Sequence, residues 1–224
     1  TASFKMLING LSSKMISQQN YYSESYRGTW YASQDWGYPC YMYVKETMLD
    51  GFPTTDASWN YQIYYEKASN LTGYSGCPFY YYYGLINNAN RILATLSDDA
   101  SDEMLQYYAM ARVYRALAYS DLAMMFEFYK TGIADLDAKA DKILGLTVPL
   151  VTEETTRESG KNNPRAPFYT MYRYILNDLT IAEAALKNYS RSSKSEPNID
   201  VVNGLLSRFW LNLATRFRKY PDDL

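Results

Sequence analysis

Four stretches of this chain repeat apolar side chains at the spacing of a single helix face, and they fall in two consecutive pairs. In the first pair, Phe79, Tyr82, Tyr83, Ile86, Ala89, Asn90 and Leu93 predict a helix from Phe79 to Leu96, with Pro78 in the first turn, where a missing N–H is tolerated. Its partner is long, from Asp102 to Tyr129, and carries Ala109, Ala116 and Ala123 seven residues apart. Small side chains at that spacing let a neighbouring helix approach closely. Asp98, Asp99, Asp102 and Glu103 gather at its start, where acidic groups complement the helix dipole. The two helices read as an antiparallel hairpin. In the second pair, Phe168, Tyr172, Ile175, Leu176, Leu179, Ala182 and Leu186 define a helix from Phe168 to Lys187. Val202, Leu205, Leu206, Phe209 and Leu213 define another from Asp200 to Arg218, with Asp200 as its N-cap.

The fold class expected is therefore mostly α, built of tetratricopeptide-like helical hairpins with long irregular loops, although no strict 34-residue sequence repeat is present. A further helix is written by Phe4, Leu7, Ile8, Leu11 and Met15, ending near Gln19, and Pro39 is placed to open a short one running towards Asp50-Gly51. Residues Thr54 to Gly76 read as loop or short helix. Lys130 to Pro167 lacks helical periodicity for most of its length and is the longest irregular connection, with Leu146-Thr147-Val148 as a short extended piece.

The chain has no histidine, which removes His-dependent triads, Cys-His dyads and His-ligated zinc together. Cys40 and Cys77 are too far apart for a CxxC motif, and either a disulfide or two separate buried thiols accounts for them. Neither a P-loop nor a dinucleotide fingerprint is present, so no cofactor, no metal and no catalytic residue is assigned. With 22 basic against 24 acidic residues the net charge is -2, which argues against nucleic acid as a partner. Two carboxylates acting on a glycoside would meet in space and not in sequence, so a small glycoside hydrolase stays open as an alternative. Arg112 and Arg115 can be read as an anion site, but arginine beside tyrosines on a helix more often packs its stem and bonds local carbonyls or carboxylates.

Tyrosine is abundant, 25 of 224 residues, and fifteen of those lie between Tyr21 and Tyr83 together with Trp30, Trp36 and Trp59. Only nine charged residues share that stretch. On helices, Tyr82, Tyr83, Tyr108, Tyr119 and Tyr172 are core residues. In turn-rich sequence the balance differs. Trp30, Trp36, Trp59, Tyr61 and Tyr64 are the candidate ligand contacts, because an exposed ring with a polar edge offers a flat apolar face plus a hydrogen bond to a sugar ring or a peptide. Anchoring of the loops on the scaffold is the competing use of the same rings.

Four stretches, in order, resemble the N-terminal half of the SusD/RagB family of bacterial outer-membrane nutrient-binding lipoproteins. They are Tyr81-Tyr82-Tyr83-Gly84-Leu85-Ile86-Asn87-Asn88-Ala89-Asn90-Arg91-Ile92-Leu93; Ala111-Arg112-Val113-Tyr114-Arg115-Ala116-Leu117-Ala118-Tyr119-Ser120-Asp121-Leu122; Leu146-Thr147-Val148-Pro149-Leu150; and Pro164-Arg165-Ala166 with Tyr172, Ile175, Asp178-Leu179 and Ala182 downstream. Leu205-Leu206-Ser207-Arg208 fits the next family helix, with Ser207 where an alanine is usual. The resemblance implies that residues 1–224 are the family's helical N-terminal domain, without the lipidated N-terminal cysteine and without the C-terminal part of its members. It further implies a non-catalytic, surface-exposed protein of the outer membrane, held by an N-terminal lipid anchor. Its implied partners are a SusC-type TonB-dependent transporter and an oligosaccharide, or a peptide, as ligand. A helical-repeat interaction module without a glycan ligand is the alternative. No ligand residue is carried over by the resemblance.

Overall fold

The computed structural model describes residues 2–16, 37–39, 42 and 73–219. Its elements are α1 (Ala2–Ile16), α2 (Gly73–Leu93), α3 (Asp102–Phe126), α4 (Ala134–Ala140), a 3-10 turn (Asp141–Ile143), β1 (Leu146–Pro149), α5 (Arg157–Gly160), β2 (Arg165–Pro167), α6 (Phe168–Leu186) and α7 (Ile199–Lys219). Residues 37–39 and 42 are also helical. The mostly α architecture expected from the periodicities is present, in two compact units: Thr1–Asn9 with Ile86–Leu224, and Gly10–Leu85.

In the larger unit the side-chain pairs fix the helix directions. Thr95 bonds Tyr108 while Asn90 bonds Arg115, so α2 and α3 run antiparallel as predicted. Arg112 and Arg115 meet Asp178, and the Tyr119 ring meets Tyr174 edge-on at 5.8 Å, which makes α3 and α6 antiparallel. Tyr172 lies 5.2 Å from Phe209, and Arg216 covers the Phe168 ring, so α6 and α7 form the second hairpin. Along α3 and α7 the pairs Asp121–Arg208, Met124–Asn212 and Glu127–Arg216 advance together, so these two are parallel. Consecutive antiparallel hairpins with every second helix parallel are the layering of an α-solenoid. Ala109, Ala116 and Ala123 are all buried on α3, as their spacing requires of a close helix contact.

The helix ends differ from the sequence reading where local chemistry intervenes. Helix α2 begins at Gly73, so Pro78 sits inside it and not in the first turn, at the sacrifice of one bond within the helix. Helix α3 stops at Phe126, because Glu127 turns extended and Phe128 bridges Leu144. At its other end Ser101 accepts from the Met104 N–H, with Asp102 and Glu103 in the first turn. For α7 the cap is Asn198, whose Oδ1 accepts from the Val201 N–H; Asp200 lies within the first turn, since the helix starts one residue earlier than expected.

The segment from Lys130 to Pro167 is more ordered than its sequence indicates. Asp137 accepts from the backbone N–H groups of Thr131 and Gly132 and so holds the start of α4, a helix too short to reveal a period. Strand β1 pairs antiparallel with β2, Leu146 opposite Pro167 and Pro149 opposite Arg165 with an irregularity between them. Gly145, at φ 71°, makes the turn that brings β1 in, a conformation that glycine adopts without strain.

In the smaller unit, Leu11 of α1 and Tyr81, Tyr82 and Leu85 of α2 are buried. Gly84 faces Lys14; a Cβ there would lie 2.8 Å from the Lys14 Cε, so a larger residue would displace the end of the lysine side chain. The surroundings lower the Lys14 pKa by burial.

Candidate functional site

The residues that sequence reasoning nominated for ligand contact, Trp30, Trp36, Trp59, Tyr61 and Tyr64, lie outside the described residues, as does Cys40; Cys77 falls within α2. What the described residues do assemble is a polar centre in the larger unit, to which four separate sequence stretches each send a side chain or a backbone group.

Arg115, buried on α3, directs its whole guanidinium into this centre. Its Nε donates to Asp178 Oδ2 at 2.7 Å and its Nη2 to Asp178 Oδ1 at 2.9 Å, a two-pronged pairing across α3 and α6. Nη1 donates to Asn90 Oδ1 at 2.6 Å and to Glu153 Oε2 at 2.5 Å. The plane of the guanidinium lies over the Tyr174 ring, 4.9 Å from its centroid. Arg112 adds a further donor to Asp178 Oδ1 at 2.7 Å. Two arginines thus face two carboxylates, and the charge within the centre is balanced, the condition for ionised groups to persist out of water.

The electrostatics follow from that pairing. Burial alone would lower the Arg115 pKa, but Asp178 and Glu153 outweigh it and hold the guanidinium charged. Burial would raise the Glu153 carboxyl; its own backbone N–H and Arg115 overcome that and bring it below the usual range. Tyr119 and Tyr174 both move up, chiefly through burial, and keep their protons.

The same centre clamps the strand-bearing arm to the helices. The Tyr119 hydroxyl donates to Val151 O at 2.6 Å and accepts from Val151 N at 2.8 Å, so one side chain satisfies both backbone groups as a neighbouring strand would. Asn90 Nδ2 also donates to Val151 O, and Asn163 Nδ2 to Leu150 O. At the base of the arm, Arg165 Nη1 donates to the carbonyls of Phe126 and Thr147, and Thr147 Oγ1 donates to Ala166 O. Arg112 and Arg115 do not form an anion site: both are engaged by Asp178, with no demand for an external anion. Sequence reasoning missed Glu153 and Asn163, which sit in loop sequence without a pattern.

A second buried group organises the turn between α6 and α7. Glu196 accepts from the Tyr189 hydroxyl at 2.8 Å and from the Ser192 N–H at 2.9 Å, and pairs with Lys5 of α1 at 3.3 Å. Phe4, next to Lys5, contacts the rings of Tyr107 and Tyr108. Burial would raise the Glu196 carboxyl, but these donors hold it at about 2.

Among the described residues no cluster of three metal-binding side chains occurs, and no helix is long and apolar enough to cross a membrane. Among the described residues, the carboxyl groups whose pKa moves, Asp99, Asp137, Glu153 and Glu196, move down, whereas a general acid for glycoside hydrolysis needs a carboxyl held up.

The chain matches the SusD-like family, described as starch-binding and associating with the outer membrane, over residues 42–211. None of the curated proteins matches it. Among solved structures it is similar to a SusD-like carbohydrate binding protein from Bacteroides vulgatus, at 18% identity and a TM-score of 0.70 over 93% of this chain and 40% of that one. A SusD superfamily protein from Bacteroides fragilis aligns at 20% identity with a TM-score of 0.65, over 94% of this chain and 45% of that one. A laminarin binding SusD-like protein aligns at 17% identity with a TM-score of 0.61, over 94% and 40%. At these identities the likeness concerns the fold, and the chain spans less than half the length of each of these proteins.

Proposed function

We propose that this chain, which belongs to the SusD-like family, is the helical N-terminal part of a cell-surface protein that binds an oligosaccharide without transforming it. The observation that carries the reading is the family match over residues 42–211, which takes in the four stretches that build the Arg115 centre. Two of the solved neighbours are themselves described as binding carbohydrate, one of them laminarin. The chemistry of the described residues fits a binder: their buried carboxylates are occupied by arginines, lysine or hydroxyl donors. The chain offers no histidine for proton transfer, and the Glu153 and Glu196 carboxyls are held down, not up.

In this reading the larger unit is scaffold, and recognition falls to the aromatic segment that holds Trp30, Trp36, Trp59, Tyr61 and Tyr64. Stacking of indole and phenol rings on sugar faces supplies apolar contact, and their N–H and O–H groups supply direction. An N-terminal lipid anchor would hold the protein at the outer membrane, and a SusC-type TonB-dependent transporter would take the glycan onward.

The test is calorimetric titration of the full-length protein with laminarin-, starch- and cellulose-derived oligosaccharides, with product analysis on the same samples. Saturable binding of one class with no turnover supports the reading. Release of shorter sugars overturns the non-catalytic part. Co-purification with the transporter but no binding to glycans or peptides would make the chain an interaction module.

A further inference from the structure

Charge is nearly absent from the described part of the smaller unit. Among its residues 10–16, 37–39, 42 and 73–85 the one charged side chain is Lys14. It is half-buried against α2, where a Cβ built on Gly84 would lie 3.0 Å from its Nζ. Aromatic rings take the place of charge on this helix: Tyr80 is 63% exposed, the Phe79 ring stands edge-on to it at 6.3 Å, and Phe79 lies 4.5 Å from Tyr83.

The sequence of the aromatic segment adds a sign to that bias. From Tyr21 to Tyr83 three cations, Arg27, Lys45 and Lys67, stand against six acids, a net charge of -3. Two of the acids neighbour candidate contacts in sequence: Asp35 directly precedes Trp36, and Asp56 stands three residues before Trp59.

Binding a carboxylate or sulfate on a sugar calls for arginine or lysine set against it, because an anion taken out of water without such a partner loses its hydration uncompensated. In the larger unit the buried arginines are already spent, Arg115 on Asp178 and Glu153 and Arg216 on Glu127. An excess of acid also repels an approaching polyanion. Towards a sugar without acidic groups the same composition is favourable, since carboxylates accept from hydroxyls and aromatic rings stack on the apolar sugar faces. We infer that the ligand of the aromatic segment is an oligosaccharide free of carboxylate and sulfate groups, and that acidic glycans are excluded by charge. The inference rests on the proposed carbohydrate-binding role and narrows it to a chemical class.

Calorimetric titration of the full-length protein with matched pairs tests it. The probes are laminarin-, starch- and cellulose-derived oligosaccharides and the same chains with their primary hydroxyls oxidised to carboxylates, each at about 20 mM and about 500 mM sodium chloride. The neutral chain that binds should have the same Kd at both salt concentrations. Its oxidised form should bind weaker by about tenfold or more at low salt, and should recover part of that loss at high salt, where the repulsion is screened. An oxidised chain that binds as tightly as its neutral parent would overturn the inference and leave carbohydrate binding standing. A difference that salt does not change would overturn it too, since the exclusion would then come from fit and not from charge. Absence of binding to every glycan would instead fail the proposed function, and the inference with it.

Discussion

Asp178 of α6 receives both prongs of the Arg115 guanidinium of α3, at 2.7 and 2.9 Å, while Arg112 reaches the same carboxylate from one turn earlier at 2.7 Å. These two residues, 63 positions apart in sequence, join the first hairpin to the second. The pairing selects one register for α3 against α6, because only in that register are the buried Arg115 and the half-buried Arg112 neutralised. Removal of Asp178 leaves the cations without their main partner, so Asp178→Ala should cost about 3–5 kcal/mol in urea unfolding. Arg115→Lys should also destabilise, since an ammonium cannot reproduce the fork to Asp178 together with the bonds to Asn90 and Glu153. An Asp178→Ala variant as stable as the parent would mean that packing alone sets the register.

Ala116 is buried on α3, midway between Ala109 and Ala123. Ala116→Leu adds three carbons where helices already touch and should cost about 1–3 kcal/mol through overpacking. Ala116→Gly, which removes volume and lowers helix propensity, should cost about 1 kcal/mol for the backbone alone. A neutral leucine variant would contradict the close contact.

The Tyr119 hydroxyl serves both backbone groups of Val151, so Tyr119→Phe should leave the Val151 N–H without its acceptor and reduce the donors at Val151 O to Asn90. The expected loss is about 1–3 kcal/mol. Hydrogen exchange at the Val151 amide should accelerate, while that at α3 core amides changes only by the global loss. An unchanged Val151 amide would show that the hydroxyl does not hold the arm.

How much of this could be seen in the sequence depended on whether a neighbour along the chain carried the signal. The helix faces were legible because their apolar residues recur every three or four positions, and Ala109, Ala116 and Ala123 marked the close contact directly. The start of α2 was hidden, because Gly73-Tyr74-Ser75-Gly76-Cys77 has no apolar period and reads as loop. The partners of Arg115 were hidden for a different reason: Asp178 sits on the apolar face of α6, where an acid looks like a break in the pattern, and its role appears only when α3 is laid beside it. Strand β1 was legible as the extended piece Leu146-Thr147-Val148, whereas its partner β2 is three residues long and lies where the sequence reads as loop. The candidate ligand contacts rest on an aromatic composition alone, since neither spacing nor charge singles out one ring from another.

Glu196 gives a pH dependence with a definite direction. Its folded carboxyl, at about 2 against an ordinary 4.5, is depressed, so the carboxylate stabilises the fold fully above 4.5. That contribution is lost progressively as pH falls from 4.5 towards 2. Glu196→Gln should remove this part of the acid dependence, loosen Lys5 from the α6–α7 turn and weaken the bond from the Ser192 N–H within it. Thermal unfolding of both proteins between pH 2 and 5 makes the comparison; parallel curves across that window would contradict the assigned shift.

The central claim, that the aromatic segment recognises a glycan while the helices serve as scaffold, is tested most directly at Trp59. Its sequence neighbours Thr54 to Ser58 are small and polar and offer the indole no apolar face of their own. The measurement is calorimetric titration of the full-length Trp59→Ala variant with the bound oligosaccharide, paired with its Tm. The account predicts affinity weakened by more than tenfold, about 1.4 kcal/mol, with Tm nearly unchanged. Unchanged affinity per folded molecule together with a lowered Tm would contradict it and make Trp59 an anchor of the loop.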